Sequence, residues 1–421
     1  MDKFIIEGGR RLEGVVEVSS AKNAVLPIMA ASILVTGEVT LQNIPEIRDV
    51  SLFCRLLKEL GANVSFLDKT LKIDCRSINK TLALYETVKE MRAGFLVAGP
   101  LLARFGEAKV SFPGGCDLGS RKINIHLKGF EKLGADVRQE GGYITLCGKL
   151  KGSRCYLDYP THTGTENIMM AAVLADGETI IENAACEPEI ADLANFLNKM
   201  GARIEGAGSS TIRISGVSSL VPCEYSPIPD RVEAATMMMA GAITKGKVFV
   251  RNAPSKFLGA PIAKLSEMGI AIEEKEDGIL VTGPEKMKAT EVITGPYPTF
   301  STDLQPLIAS LLCIANGTSI IRETVFDNRF LYAQELARMG ARLEVSGDQL
   351  TIESVDELSG ANVMAQDIRA GAALVLAGLC AKGKTTIERV YHIDRGYDGL
   401  CEKLSMLGAQ IQRISEKKLT S

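Results

Sequence analysis

The chain has 421 residues, a net charge of −3, 46% apolar residues, only 5% aromatic residues and no tryptophan. That length leaves room for two or three domains with substantial cores, and the near-neutral charge with few aromatics excludes the basic, base-stacking surface of a nucleic-acid binder. The ten cysteines form no C-x-x-C pair or Cys/His cluster, and no apolar run reaches membrane-spanning length, so a soluble, metal-free cytoplasmic protein without a signal peptide is expected.

From the N-terminus onward one unit recurs. A helix-ending pattern, an apolar residue followed by Gly and usually Ala, places its glycine at Gly61, Gly134, Gly201, Gly269, Gly340 and Gly408. A second glycine opens a β-rich run at Gly37, Gly106, Gly177, Gly246, Gly317 and Gly383, and both series keep intervals of 66 to 73 residues. Each unit reads as a buried helix apolar nearly all round (Leu304 to Ala315, Ala372 to Ala381), a strand such as Ser319 to Ile321, an amphipathic helix such as Leu331 to Met339 closed by a Gly-Ala C-cap, and a hairpin. Six such α/β units fit one ring or two groups of three. The Pro-rich stretch Pro222–Pro229 between units three and four favours two domains with a cleft between them.

The polar residues fall at equivalent places in the units. Fourteen positions before each strand-opening glycine stand Asn23, Arg92, Thr163, Val232, Asp303 and Arg369, with Lys22 and Arg231 one step earlier. Asn23, Thr163 and Asp303 fit ordinary helix caps. Arg92 and Arg369 do not, because a cation at a helix N-terminus opposes the dipole and calls for an anion. After the same glycines come Arg48, Arg121, Arg329 and Arg395, with Glu189 in their place in unit three. Between Arg92 and Arg121 lies Pro113-Gly114-Gly115-Cys116, a loop whose thiol reads either as a reactive group beside fixed positive charge or as a structural cysteine in a turn. If equivalent ends face one cleft, the seven cations Lys22, Arg48, Arg92, Arg121, Arg329, Arg369 and Arg395 imply a ligand with several phosphate or carboxylate groups.

These motifs, together with Ser20-Ala21-Lys22-Asn23-Ala24, Ile181-Glu182-Asn183-Ala184-Ala185, Pro229-Asp230-Arg231, Glu323-Thr324-Val325-Phe326, Asp367-Ile368-Arg369-Ala370 and His392-Ile393-Asp394-Arg395-Gly396-Tyr397, resemble the UDP-N-acetylglucosamine 1-carboxyvinyltransferase family along nearly the whole chain. The resemblance implies a two-domain inside-out α/β barrel of six βαβαββ-type units, three per domain, the domains being residues 1–21 with 230–421, and 22–229. It implies transfer of the enolpyruvyl group of phosphoenolpyruvate to the 3-hydroxyl of UDP-N-acetylglucosamine by addition and elimination, with no metal or organic cofactor and no nucleic-acid or membrane partner. By motif, Cys116 matches the proton donor, Asp303 the group against the sugar hydroxyl, and Lys22 and Arg395 further catalytic residues. Lys22, Arg92, Arg121, Arg329, Arg369 and Arg395 match phosphoenolpyruvate contacts. Asn23, Arg92, Arg121, Lys122, Asn124, Thr161, Thr163, Asp303 and Val325 match the UDP-sugar side. The shikimate-pathway enolpyruvyl transferases lack the cysteine loop, and a non-catalytic sugar-nucleotide binder would need neither Cys116 nor Asp303.

Four departures from the family pattern stand out. Arg48 replaces a usual lysine. Lys122 and Asn124 replace a proline and an acid. Thr161-His162-Thr163 replace Ser-Val-Gly in a loop that touches the nucleotide diphosphate, with His162 expected as a surface loop residue. Cys186 replaces a usual basic residue before Glu187.

Overall fold

The computed structural model describes residues 2–112 and 123–415. The repeat is realised among these residues as six four-stranded sheets of one topology. Strand Glu291–Ile293 runs parallel to Thr318–Arg322, the two being joined through helix Gln305–Leu312. The chain then forms a 3-10 turn, Arg329–Tyr332, and a short helix, Ala333–Arg338. It returns as the hairpin Arg342–Ser346 and Gln349–Glu353, whose second strand pairs antiparallel with Thr318–Arg322. Alternation along Thr318–Arg322 buries Ser319 and Ile321 and exposes Thr318 and Arg322, so each sheet has one wet face and one dry face.

The dry faces close over the first helix of each unit. All thirteen residues of helix Arg231–Ile243 are buried, and helices Gln305–Leu312 and Ile368–Cys380 pack on it and on each other. A helix apolar all round can be stable only in such a position. The helices therefore form the centre and the sheets the wall, and each half of the chain has its own apolar core. One compact unit comprises residues 2–19 and 229–415, the other 20–112 and 123–228. No helix of the described residues is long and apolar enough to cross a membrane.

The two units are closed by strands from distant parts of the chain. Glu224–Tyr225 pairs parallel with Glu38–Leu41 in the unit that begins at residue 20. In the other unit, Glu13–Glu17 pairs parallel with Lys247–Arg251, while Lys3–Glu7 inserts between Lys384–Glu388 and Gln410–Ile414, antiparallel to both.

All six helix-ending glycines adopt left-handed φ, between +85° and +107°. At each, the glycine N–H reaches three residues back and the following N–H five back, as in Gly61 to Lys58 and Ala62 to Leu57, the Schellman arrangement. The strand-opening series is less uniform. Gly106, Gly177, Gly317 and Gly383 have positive φ, but at Gly246 the left-handed residue is Lys245. Glycine is required there because an added Cβ would lie 2.1 Å from the Leu12 carbonyl oxygen. The predicted helix boundaries shift slightly. Leu304 to Ala315 is helical over Gln305–Leu312, and Ala372 to Ala381 begins earlier, at Ile368, because the Asp367 side chain caps it.

Candidate active site

In the unit of residues 2–19 and 229–415, the centre is Asp303. It lies two residues before helix Gln305–Leu312, and its backbone N–H is held by the Ser301 hydroxyl at 3.2 Å. Its Oδ2 accepts from Arg369 Nε at 3.2 Å and from the Arg369 terminal nitrogen at 3.0 Å. Arg329 approaches the other carboxylate oxygen at 3.7 Å. The Arg329 and Arg369 side chains are 1% and 5% exposed and Asp303 28%. Arg329 is anchored by the Thr302 carbonyl at 3.1 and 3.2 Å and by Asp367 at 3.5 Å. Arg369 lies over the Tyr397 ring, 5.4 Å from its centroid, and the Tyr397 hydroxyl is 2.9 Å from that of Thr236. Burial alone would weaken the charge on Arg369, but Asp303 outweighs it and the pKa is raised.

Neighbouring backbone is tied to this cluster. The buried Glu323 accepts from the Val325 and Phe326 N–H groups at 2.8 and 3.2 Å, and its other oxygen accepts from the Thr302 hydroxyl at 3.0 Å. Val325 is thereby fixed to the segment that carries Asp303. Arg395 ends the 3-10 turn Val390–Arg395, two residues before Tyr397, and is half-buried.

In the unit of residues 20–112 and 123–228, Lys22 opens helix Lys22–Ala31 and pairs with Asp49 at 2.9 Å, the side chains being 13% and 2% exposed. Arg48 opens helix Arg48–Leu60 and shares Glu90 with Arg55, at 3.2 and 2.8 Å. Arg92 opens the 3-10 helix Arg92–Val97. Near it lies His126, fully enclosed, whose Nε2 is 3.2 Å from the Thr163 hydroxyl and whose Nδ1 is 3.2 Å from the Asn167 amide. Burial, aided by the charge of Arg92, pushes the His126 pKa down to about 3. Asn167 donates to the Phe95 carbonyl and accepts from the Gly99 N–H, so three segments meet at one buried amide. Asn124 begins helix Asn124–Lys132 and is exposed. Cys116, Arg121 and Lys122 lie outside the described residues.

Four readings are corrected, three of them helix caps. Asp303 is an arginine partner rather than a cap, no side-chain cap bond is made at the start of helix Lys22–Ala31 where Asn23 stands, and Thr163 bonds His126. The capping side chains are Thr161, Asp230 and Asp367. His162 is not a surface loop residue: it is the first residue of helix His162–Ala172, with a side chain only 23% exposed, turned toward glutamates. Asp49, Asp367 and Glu323 were not singled out from the sequence. An acid within two residues of a candidate arginine, as in Arg48-Asp49 and Asp367-Ile368-Arg369, is the signal that would have found the first two.

The sequence matches the EPSP synthase (3-phosphoshikimate 1-carboxyvinyltransferase) family over residues 6–404, and the chain belongs to that family. It is 50% identical to a UDP-N-acetylglucosamine 1-carboxyvinyltransferase of Trichlorobacter lovleyi, over 99% of this chain and 100% of that one. It is 52% identical to UDP-N-acetylglucosamine 1-carboxyvinyltransferase 1 of Caldanaerobacter subterraneus, over 98% and 99%. Among solved structures, the enolpyruvyl transferase NikO from Streptomyces tendae superposes with a TM-score of 0.89 at 25% identity, covering 99% of both chains.

Proposed function

We propose that the protein is a cytoplasmic enzyme of peptidoglycan precursor synthesis that transfers the enolpyruvyl group of phosphoenolpyruvate to the 3-hydroxyl of UDP-N-acetylglucosamine and releases phosphate. The observation that carries the reading is Asp303, a partly exposed carboxylate held in place by two buried guanidiniums. Such a group can accept the proton of an attacking hydroxyl without moving.

In the addition step, Cys116 gives its proton to the methylene carbon of phosphoenolpyruvate. The sugar oxygen bonds to the adjacent carbon and Asp303 takes the hydroxyl proton, leaving a tetrahedral ketal. In the elimination step the Cys116 thiolate takes a proton from the new methyl group, the carbon–oxygen bond to phosphate breaks with its electrons leaving on the phosphate, Asp303 passes its proton to the departing phosphate, and the enol ether forms. Lys22, Arg92, Arg121, Arg329, Arg369 and Arg395 hold the phosphate and carboxylate, with Lys22 and Arg395 stabilising the departing phosphate. Asn23, Arg92, Arg121, Lys122, Asn124, Thr161, Thr163, Asp303 and Val325 form the sugar-nucleotide side.

Phosphate release with phosphoenolpyruvate and UDP-N-acetylglucosamine tests the reaction, and calorimetry with UDP-, GDP- and TDP-linked sugars tests the acceptor. Uridine selectivity with turnover is expected. Tighter binding of a non-uridine sugar would overturn the acceptor, and no phosphate release would overturn the reaction.

A further inference from the structure

His162 stands among buried acids. Its Nδ1 is 3.3 Å from Glu166 Oε1, one turn along its own helix, and its Nε2 is 4.0 Å from Glu189 Oε2, in the first turn of helix Pro188–Lys199. Both glutamate side chains are 1% exposed. His162 Nε2, Glu166 Oε1 and Glu187 Oε2 are all buried without a hydrogen-bond partner of good geometry. Burial opposes a charge on His162, but Glu166, Glu187 and Glu189 together prevail and raise its pKa to about 10. Among the described residues these three acids are the charged groups that act on His162; burial in turn raises the pKa of Glu166, Asp192 further along helix Pro188–Lys199 feels Glu189, and the Cys186 thiol feels Glu187. His126, from helix Asn124–Lys132, meets Thr163 and Asn167 on the same helix. No group of three or more acidic, histidine or cysteine side chains among the described residues has metal-holding geometry.

The imidazole thus bridges acids from two different helices, Glu166 on its own and Glu189 on the next. Uncompensated buried carboxylates are costly, and His162 is placed to supply the cation that offsets them.

We propose that His162 is a positioning residue whose imidazolium clamps the helix start that carries Thr161 and Thr163 to the Glu187–Glu189 turn, a charge that a basic side chain at 186, beside Glu187, could supply in its place. Because Thr161 and Thr163 are placed on the nucleotide side, the effect on catalysis rests on the function proposed above. His162 acts on sugar-nucleotide affinity rather than on the chemical step.

His162→Val, Cys186→Arg and the double variant provide the test. His162→Val should raise the KM for UDP-N-acetylglucosamine about tenfold, the scale of one lost charged hydrogen bond, with kcat and the KM for phosphoenolpyruvate nearly unchanged. Adding Cys186→Arg should restore both this KM and the melting temperature. In the wild-type protein the His162 ring should remain protonated up to pH 9 by nitrogen-detected NMR, because a folded-state pKa raised above the ordinary 6.5 keeps the ion pairs intact until pH approaches 10. A ring titrating near pH 6.5, a KM unaltered in His162→Val, or no recovery in the double variant would overturn the proposal. Wild-type protein that does not turn over UDP-N-acetylglucosamine would instead sink the substrate reading, leaving the ring titration and the melting-temperature rescue to decide on the clamp.

Discussion

Replacing Asp303 by asparagine removes the negative charge from between two guanidiniums whose side chains are 1% and 5% exposed. Arg329 would keep Asp367 and the Thr302 carbonyl, whereas Arg369 would keep the face of Tyr397. Removing one partner of a fully buried pair costs about 3–5 kcal/mol. Asp303 is 28% exposed and the amide oxygen can still accept from Arg369, so a loss of about 2 kcal/mol is expected. In a unit of roughly 200 residues that corresponds to a melting-temperature drop of about 4–8 °C. Turnover should fall about 10²–10⁴-fold, the usual worth of a positioned base. Inorganic phosphate should raise the melting temperature of the variant more than that of the parent, since two guanidiniums have lost their internal anion. Differential scanning fluorimetry and a coupled phosphate assay read both effects. Near-normal kcat with a lowered melting temperature would reduce Asp303 to a structural ion-pair partner. No change in either would refute the reasoning altogether.

His126 is held neutral with its pKa near 3, mainly by burial, so the unfolded chain binds the extra proton between pH 6.5 and 3. Its contribution to stability is complete above pH 6.5 and falls by up to about 1.4 kcal/mol per pH unit below it; His126→Gln should flatten that acid limb in urea titrations, and an unchanged limb would contradict the assignment. Gly201→Ala meets no atom within 4 Å and should cost only the left-handed strain of about 1–2 kcal/mol, whereas Gly246→Ala collides with the Leu12 carbonyl and should cost well over 3 kcal/mol or abolish folding. Burial pushes Cys54 and Cys155 to about 11 and Cys75 and Cys380 to about 12, and it also raises Cys313, Cys401 and the half-buried Cys186 and Cys223, which leaves Cys147 as the exposed thiol among the described residues. Peptide mapping should therefore find neutral iodoacetamide on Cys147 and Cys116, but a small anionic epoxide such as fosfomycin on Cys116 alone; epoxide on Cys147 would deny Cys116 its special environment.

The repeat was legible because it is written in backbone chemistry. A left-handed C-cap admits little but glycine, so the series Gly61 to Gly408 marks the helix ends whatever surrounds them. The arginines of the site were legible for a related reason, since a cation opening an apolar helix has no local use. Their partners were not. Asp303 follows the cap pattern in sequence, and only the approach of Arg369, 66 residues away, shows that its carboxylate is committed elsewhere. His162 was misread because a lone histidine in a polar loop sequence says nothing about Glu189, which reaches it from a different helix. Local chemistry prints itself on sequence spacing, and long-range charge compensation does not.

The strand Lys3–Glu7 is made long before both of its pairing partners, Lys384–Glu388 and Gln410–Ile414, which follow roughly 380 residues later, or about 20–80 s at ordinary ribosomal rates. The unit of residues 20–228 needs only Glu224–Tyr225 to close and can form while synthesis continues. During that interval Lys3–Glu7 has exposed edges and no sheet to join, as has Glu13–Glu17 until Lys247–Arg251 follows, the condition under which nascent chains pair wrongly or recruit chaperones. A circular permutant that moves residues 2–19 behind residue 415 would deliver those strands last, beside their partners. It should leave the folded sheets unchanged while reducing aggregation during translation.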